Sequence, residues 1–196
     1  MRDTCQAKPD LILASASIRR RQLLKLLNIH YDVHTPNIDE AVIGQEEPLA
    51  YVHRIARQKA NVVWQKYSTA IPVLAADTSV SFDGEILGKP SNQEDARISL
   101  HALSGCEHQV LTAICLYTDI EVLESSSISK VKFKSLSAMQ IEAYCATKEP
   151  LGKAGAYAIQ GYAATFIEYF HGSYTGVMGL PLHELGKMLT QAKFPT

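Results

Sequence analysis

The sequence predicts an α/β fold built on a mixed sheet, and three observations carry that prediction. Short apolar, strand-like runs alternate with helical patterns along most of the chain, as they do where helices cross over between strands. The run Val73–Phe82 leads into Asp83-Gly84, a hairpin pair, so part of the sheet must be antiparallel. The 196 residues are 46% hydrophobic and 20% charged, an ordinary globular balance with enough apolar material for a real core. No repeat, low-complexity tract or linker divides the chain, so residues 1–196 read as one domain with residues 1–10 as a short flexible extension.

Taken in order, Leu11–Ala14 is a short buried strand. Ser15-Ala16-Ser17 opens a helix with Leu23, Leu24, Leu26 and Leu27 on its apolar face and Asn28 near its end. Tyr31–Thr35 follows as a strand and Pro36–Glu47 as a polar loop. Pro48 suits a first helical turn, and Leu49, Val52, Ile55, Ala56 and Val63 keep the helical period to about Lys66. Val73–Phe82 and Glu85–Leu87 are the two arms of the hairpin. Ser91 with Glu94 forms a capping box for a helix that ends before Gly105. Gln109–Tyr117 and Val122–Phe133 alternate as strands, and Ser137 with Gln140 caps a helix to about Thr147. Glu149–Gly155 is a loop, Tyr157–Gly161 and Thr165–Phe170 are strands, and Pro181–Gln191 is a closing helix.

Composition excludes several classes. Nineteen basic and twenty acidic residues leave a net charge of −1, which argues against a dedicated nucleic-acid binder. The polar start MRDTCQAKPD carries no signal-peptide core, and no 18-residue apolar run follows, so a soluble cytoplasmic protein with no membrane partner is expected. Cys5, Cys106, Cys115 and Cys145 form no CxxC pair and read as free thiols. His30 and His34 are four apart in a strand-like stretch, where that spacing builds no helical metal pair. None of the three Gly-Lys pairs precedes Ser or Thr, so there is no Walker A loop.

Four stretches carry chemistry. In Ser15–Arg21, SASIRRR, three arginines crowd the first turn of a helix, where the dipole disfavours cations by about 0.3–1 kcal/mol each. Free backbone N–H groups beside guanidinium forks suit a phosphate, although a solvated basic turn has the same sequence. Asp77 stands inside an apolar strand, where an unpaired carboxylate is costly and needs a metal, a cation, hydrogen bonds or a proton. Alternation places it on a face with Val73, Ala75, Ser79 and Ser81, small side chains that leave room for a ligand. A buried structural aspartate paired with a base is the plainer alternative. Glu40, Lys59 and Lys89 are separated charges, of which Lys89 is the most fixed, between Gly88 and Pro90. Finally, EPLGKAGAYAIQG, Glu149–Gly161, has glycines that permit close backbone approach, and Gln160 near its end.

Together these stretches resemble the Maf family of nucleotide pyrophosphatases. The motifs SASIRR, AADT around Asp77, LGKP, LSG, EPLGKAGAYAIQG, GSY and GLPL occur in order between Leu11 and Leu189. One departure is Ile18, where the family usually has proline before the paired arginines; less preorganisation of that turn is expected, not loss of the site.

The resemblance implies an elongated mixed sheet flanked by helices, with two lobes around a cleft, similar to the inosine triphosphatase fold. It implies hydrolysis of a nucleoside triphosphate to the monophosphate and pyrophosphate with a divalent cofactor, Mg2+ or Mn2+, in a family where homodimers are frequent. The family's proton acceptor falls on Asp77, and its specificity positions on Arg20, Thr78 and Gln160. The phosphate and metal environment falls on Ser15, Arg19, Glu40, Lys59 and Lys89, with Asp77 and Glu40 as the carboxylates open to a metal. A Gln160 amide can accept from N3–H of uracil or thymine and donate to a ring carbonyl, which points to dTTP and UTP. The alternatives are the sister branch acting on 7-methyl-GTP and a non-catalytic nucleotide-binding regulator of septum formation. Two roles follow for Asp77 from the resemblance, taking the water's proton or holding the metal that activates it.

Overall fold

The computed structural model describes residues 8–67 and 71–194. Cys5 and most of the expected N-terminal extension lie outside those residues. The strands are β1 (Leu11–Leu13), β2 (Tyr31–Val33), β3 (Val73–Phe82), β4 (Glu85–Leu87), β5 (Glu107–Tyr117), β6 (Val122–Phe133) and β7 (Ile167–His171). The helices are α1 (Ile18–Lys25), α2 (Pro48–Tyr67), α3 (Gln93–Leu103), α4 (Ala138–Ala146), α5 (Tyr174–Met178) and α6 (Leu182–Gln191). The seven strands of the described residues form one mixed sheet in the order β2-β1-β3-β5-β6-β7, with β4 hydrogen-bonded to β3. Among the described residues, no helix is long and apolar enough to cross a membrane.

The hairpin closes as its sequence requires. Asp83 and Gly84 both adopt positive φ, 53° and 80°, which matches the twist of the arms they join. The long antiparallel pairs β3–β5 and β5–β6 form the spine. On one face of that spine, Val73, Ala75, Leu111 and Ala113 pack beneath α2 through Val52, Ile55, Ala56 and Ala60. The opposite face carries two apolar clusters. One joins Leu74 and Ile114 to α1 and α6, and the other joins Val80 and Val110 to α3 and α4. Between them Thr78 and Thr112 sit directly opposite each other in the β3–β5 register, a polar seam between two apolar lobes.

The edge of β3 explains where an opening can form. It pairs with β1 at Val73 and Leu74, and with β4 from Val80 to Phe82. Among the described residues no strand pairs with Ala75–Ser79 on that edge, so the sheet splits at Asp77 and Thr78. Strand β1 ends beside this gap, and the chain turns there into α1. Crevices at the carboxyl ends of parallel strands are where α/β sheets place ligands.

Several local expectations are corrected. Tyr157–Gly161 is not a strand: Gly155 and Ala156 both take φ of 62°, and the Gly161 N–H bonds the Ala158 carbonyl at 2.9 Å. The apolar run Ala156–Ile159 is buried as irregular chain, which composition cannot distinguish from a strand. A 3-10 turn occupies Tyr162–Phe166, so the next strand starts at Ile167, not Thr165. Helix α3 is capped by Asn92, which accepts from the Asp95 N–H at 2.9 Å, one residue later than the expected Ser91 box. The Ser137–Gln140 box forms in both directions. Leu26 lies past the end of α1 and is 67% exposed, so it leaves the apolar face assigned to it. The short helix α5, capped by Ser173, had no periodic signal to reveal it.

Candidate active site

Ser15 opens the site. Its buried hydroxyl accepts from the Ser17 N–H at 3.1 Å and from the Arg20 guanidinium at 3.4 Å, which bends the chain from β1 into α1. Ser17 then caps α1 by accepting from the Arg20 N–H. This start to α1 carries Arg19 and Arg20 to the gap in the sheet.

The two arginines have different situations. Arg20 is buried, and its Nε donates to the Gly179 carbonyl at 2.8 Å while Nη2 donates to Thr78 Oγ1 at 3.1 Å. Burial lowers its pKa, and the charge of Asp77 opposes that effect. Thr112 Oγ1 donates its single proton to the Gly176 carbonyl at 2.8 Å, so in the 2.9 Å contact between the two threonines Thr78 must be the donor. The seam is thus a directed chain from Arg20 through Thr78 and Thr112 to Gly176. Arg19 has no hydrogen bond or ion pair among the described residues, and burial lowers its pKa. A half-buried cation without a partner suits an anionic ligand.

The other charges form a second chain. Lys59, buried on α2, places Nζ 2.7 Å from Asp77 Oδ1 and 2.7 Å from Glu40 Oε1. Glu40 in turn accepts from Lys89 at 2.7 Å. Burial alone would raise the Glu40 pKa, but the hydrogen bonds from Lys59 and Lys89 outweigh it and hold the group at about 2.

Ser15, Arg19, Arg20, Glu40, Lys59, Thr78, Lys89 and Gln160 all line one cavity of about 430 Å³, within the range of small-molecule sites. Gln160 is exposed, and its amide has no partner among the described residues. Asp77 is 2% exposed and stands behind the lining, reached through Lys59. The expectation that its small-residue face leaves ligand room is corrected: α2 covers that face, and the cavity takes Thr78 and Val80 from the other. Arg21, the third arginine of the run, is not part of the lining. The sequence reading missed Thr112 and the Gly179 carbonyl. A threonine in a strand and a backbone oxygen carry no local mark.

A profile of the family described as Maf-like protein matches residues 10–192. The chain belongs to the Maf family. A Maf-sized relative from Chromobacterium violaceum, named dTTP/UTP pyrophosphatase, is 47% identical over 188 residues, covering 94% of this chain and 95% of that protein. One from Acinetobacter baylyi with the same name is 46% identical over 181 residues, covering 92% and 98%. Among solved structures, the Ham1 protein of Staphylococcus aureus aligns with a TM-score of 0.51 at 13% identity, covering 93% of this chain and 98% of that one, a likeness of fold.

In this Maf chain the donor set limits how a metal can be held. Among the described residues no group of three or more His, Cys, Asp or Glu side chains could hold an ion. Asp77 and Glu40 offer two carboxylates, with the Lys59 ammonium between them. Two carboxylates fit a magnesium-like ion if phosphate oxygens and water complete its shell.

Proposed function

We propose that this Maf-family chain is a nucleoside triphosphate pyrophosphatase that hydrolyses dTTP and UTP to the monophosphate and pyrophosphate. The observation that carries the reading is that Arg19 and Gln160, whose side chains have no partner among the described residues, line the same cavity. One suits a phosphate, the other a base edge. The relatives named dTTP/UTP pyrophosphatase, at 47% and 46% identity, support the same substrates.

In this reading Arg19 is the free charge that meets the triphosphate, Lys59 and Lys89, already paired with Asp77 and Glu40, add hydrogen-bond donors for its oxygens, and Arg20 is a rigid wall aligned by Gly179 and Thr78. Charge neutralisation and positioning supply most of the rate, because an anionic phosphate resists attack by water. Water adds at the α-phosphorus and gives up a proton, the bond from that phosphorus to the α–β bridging oxygen breaks, and pyrophosphate leaves with the electron pair. Asp77 is the acid of the reaction centre. Asp77 stands behind the lining with its Oδ1 held by Lys59, and in this reading its Oδ2, with no hydrogen bond among the described residues, would take the proton of a water that reaches it past Lys59, or help hold the metal. A Mg2+ or Mn2+ ion held by Asp77, Glu40 and phosphate oxygens would supply Lewis-acid stabilisation of the charge on those oxygens. A cytoplasmic location and a homodimer belong to the same reading, tested by fractionation and light scattering.

The deciding experiment offers canonical and modified nucleoside triphosphates with Mg2+ or Mn2+ and measures pyrophosphate release. Turnover of UTP and dTTP above the others is expected. Release from none of them would favour the regulator, and preference for 7-methyl-GTP would overturn the Gln160 argument.

A further inference from the structure

We propose that Glu149 is the positioning residue that fixes Gln160 in the cavity and thereby sets base selectivity; this rests on Gln160 reading the base. Gln160 receives no help from its own side chain, whose amide has no partner among the described residues. An amide with a donor end and an acceptor end can match more than one base if its backbone drifts. Selectivity then depends on what holds the backbone around residue 160.

Glu149 holds it at the next two residues. Gly161 lies so close that a Cβ there would stand 2.1 Å from Glu149 Oε1 and 2.6 Å from Cδ. Its φ of −100° is open to any residue, so contact with Glu149, not backbone conformation, explains the glycine. The Tyr162 N–H donates to Glu149 Oε2 at 3.1 Å. The other oxygen, Oε1, accepts from Tyr144 Oη at 2.9 Å. Tyr144 is fully buried on α4, and its ring stacks on Tyr162 with centroids 5.9 Å apart.

Glu149 is itself fixed at the backbone. Its N–H donates to Thr147 Oγ1 at 3.1 Å, and its carbonyl accepts from Lys153 Nζ. A line of contacts therefore runs from the core at Tyr144, through the carboxylate, to the residues that follow Gln160. The two carboxylate oxygens face two donors at once, which alanine cannot replace. In glutamine the amide oxygen can accept from Tyr162 N–H while the NH2 group donates to the Tyr144 oxygen, so Glu149→Gln should preserve the link.

The test is a double-mutant cycle on selectivity. The ratio of kcat/KM for UTP to that for CTP is measured for the full chain and for Glu149→Ala, Gln160→Ala, the double variant and Glu149→Gln. Each single alanine variant is expected to lower the ratio about tenfold or more, mainly through KM for UTP. The double variant should lose no more than Gln160→Ala alone, because both changes remove one function. Glu149→Gln should restore most of the ratio. The proposal is overturned if Glu149→Ala keeps the ratio while Gln160→Ala loses it, or if the two losses multiply in the double variant. A Gln160→Ala protein with full selectivity would remove the base-reading premise itself, a different failure visible in that one variant. Should Glu149→Ala not fold, Tyr144→Phe removes one hydrogen bond at the same carboxylate. It should lower the ratio partway, and an unchanged ratio there would overturn the proposal.

Discussion

Lys59 Nζ lies 2.7 Å from Asp77 Oδ1, an ion pair buried between α2 and β3. The same ammonium reaches Glu40 at 2.7 Å, so one cation compensates two carboxylates. That answers how an acid can stand in the apolar strand Val73–Phe82: its partner arrives from another element.

The pair predicts unequal costs for its two halves. Lys59→Met strands Asp77 as an uncompensated buried charge, which should cost about 3–5 kcal/mol. Asp77→Asn leaves Lys59 paired with Glu40 and should cost less, while lowering turnover by about 10²–10⁴-fold through loss of the acid. Urea denaturation and pyrophosphate release measure the two effects. Near wild-type turnover in Asp77→Asn would remove Asp77 from the mechanism.

Arg19 should behave in the opposite way. It has no partner among the described residues, so Arg19→Ala should change stability by no more than about 0.5 kcal/mol. Loss of one charge-assisted phosphate contact, about 1.5–3 kcal/mol, should raise KM for UTP roughly 10–100-fold. Thermal unfolding and initial-rate kinetics on the same preparations give both numbers. A large stability loss with unchanged KM would contradict the assignment.

Glu40 sets an acid-side window. Its folded pKa of about 2 lies below the ordinary 4.5, so the unfolded chain takes up this proton first as pH falls. The stabilisation is therefore complete above about 4.5 and is lost as pH drops through about 2. Between those limits wild type should lose stability with falling pH more steeply than Glu40→Gln. Parallel stability curves for the two proteins would show that the Lys59 and Lys89 contacts do not hold Glu40 in solution.

Ile18 offers a gain. It is the first residue of α1, 69% exposed, and its N–H makes no hydrogen bond among the described residues. Proline there removes no bond and restricts the unfolded chain, so Ile18→Pro should stabilise the protein by about 0.4–1 kcal/mol. A lower melting temperature would mean that the turn before Arg19 needs the freedom Ile18 gives it.

The sequence by itself determined the long elements and some parts of the site. Periodicity, caps and the Asp83-Gly84 pair are local, and so β3, its hairpin and the Ser137 cap were legible from neighbouring residues. The motifs named part of the lining, which the fold gathers from α1, α2, β3, β5, α5 and the loops between elements. Tertiary structure alone decided which charges are free. Arg19 and Arg20 are adjacent and alike in sequence, yet Gly179 and Thr78 engage one and leave the other to the cavity. It also decided that Asp77 is paired with Lys59 of α2, and that Tyr157–Gly161 forms no strand. The physical reason is the same in each case. A hydrogen bond or an ion pair depends on which distant segment comes within about 3 Å, and no local pattern records that distance.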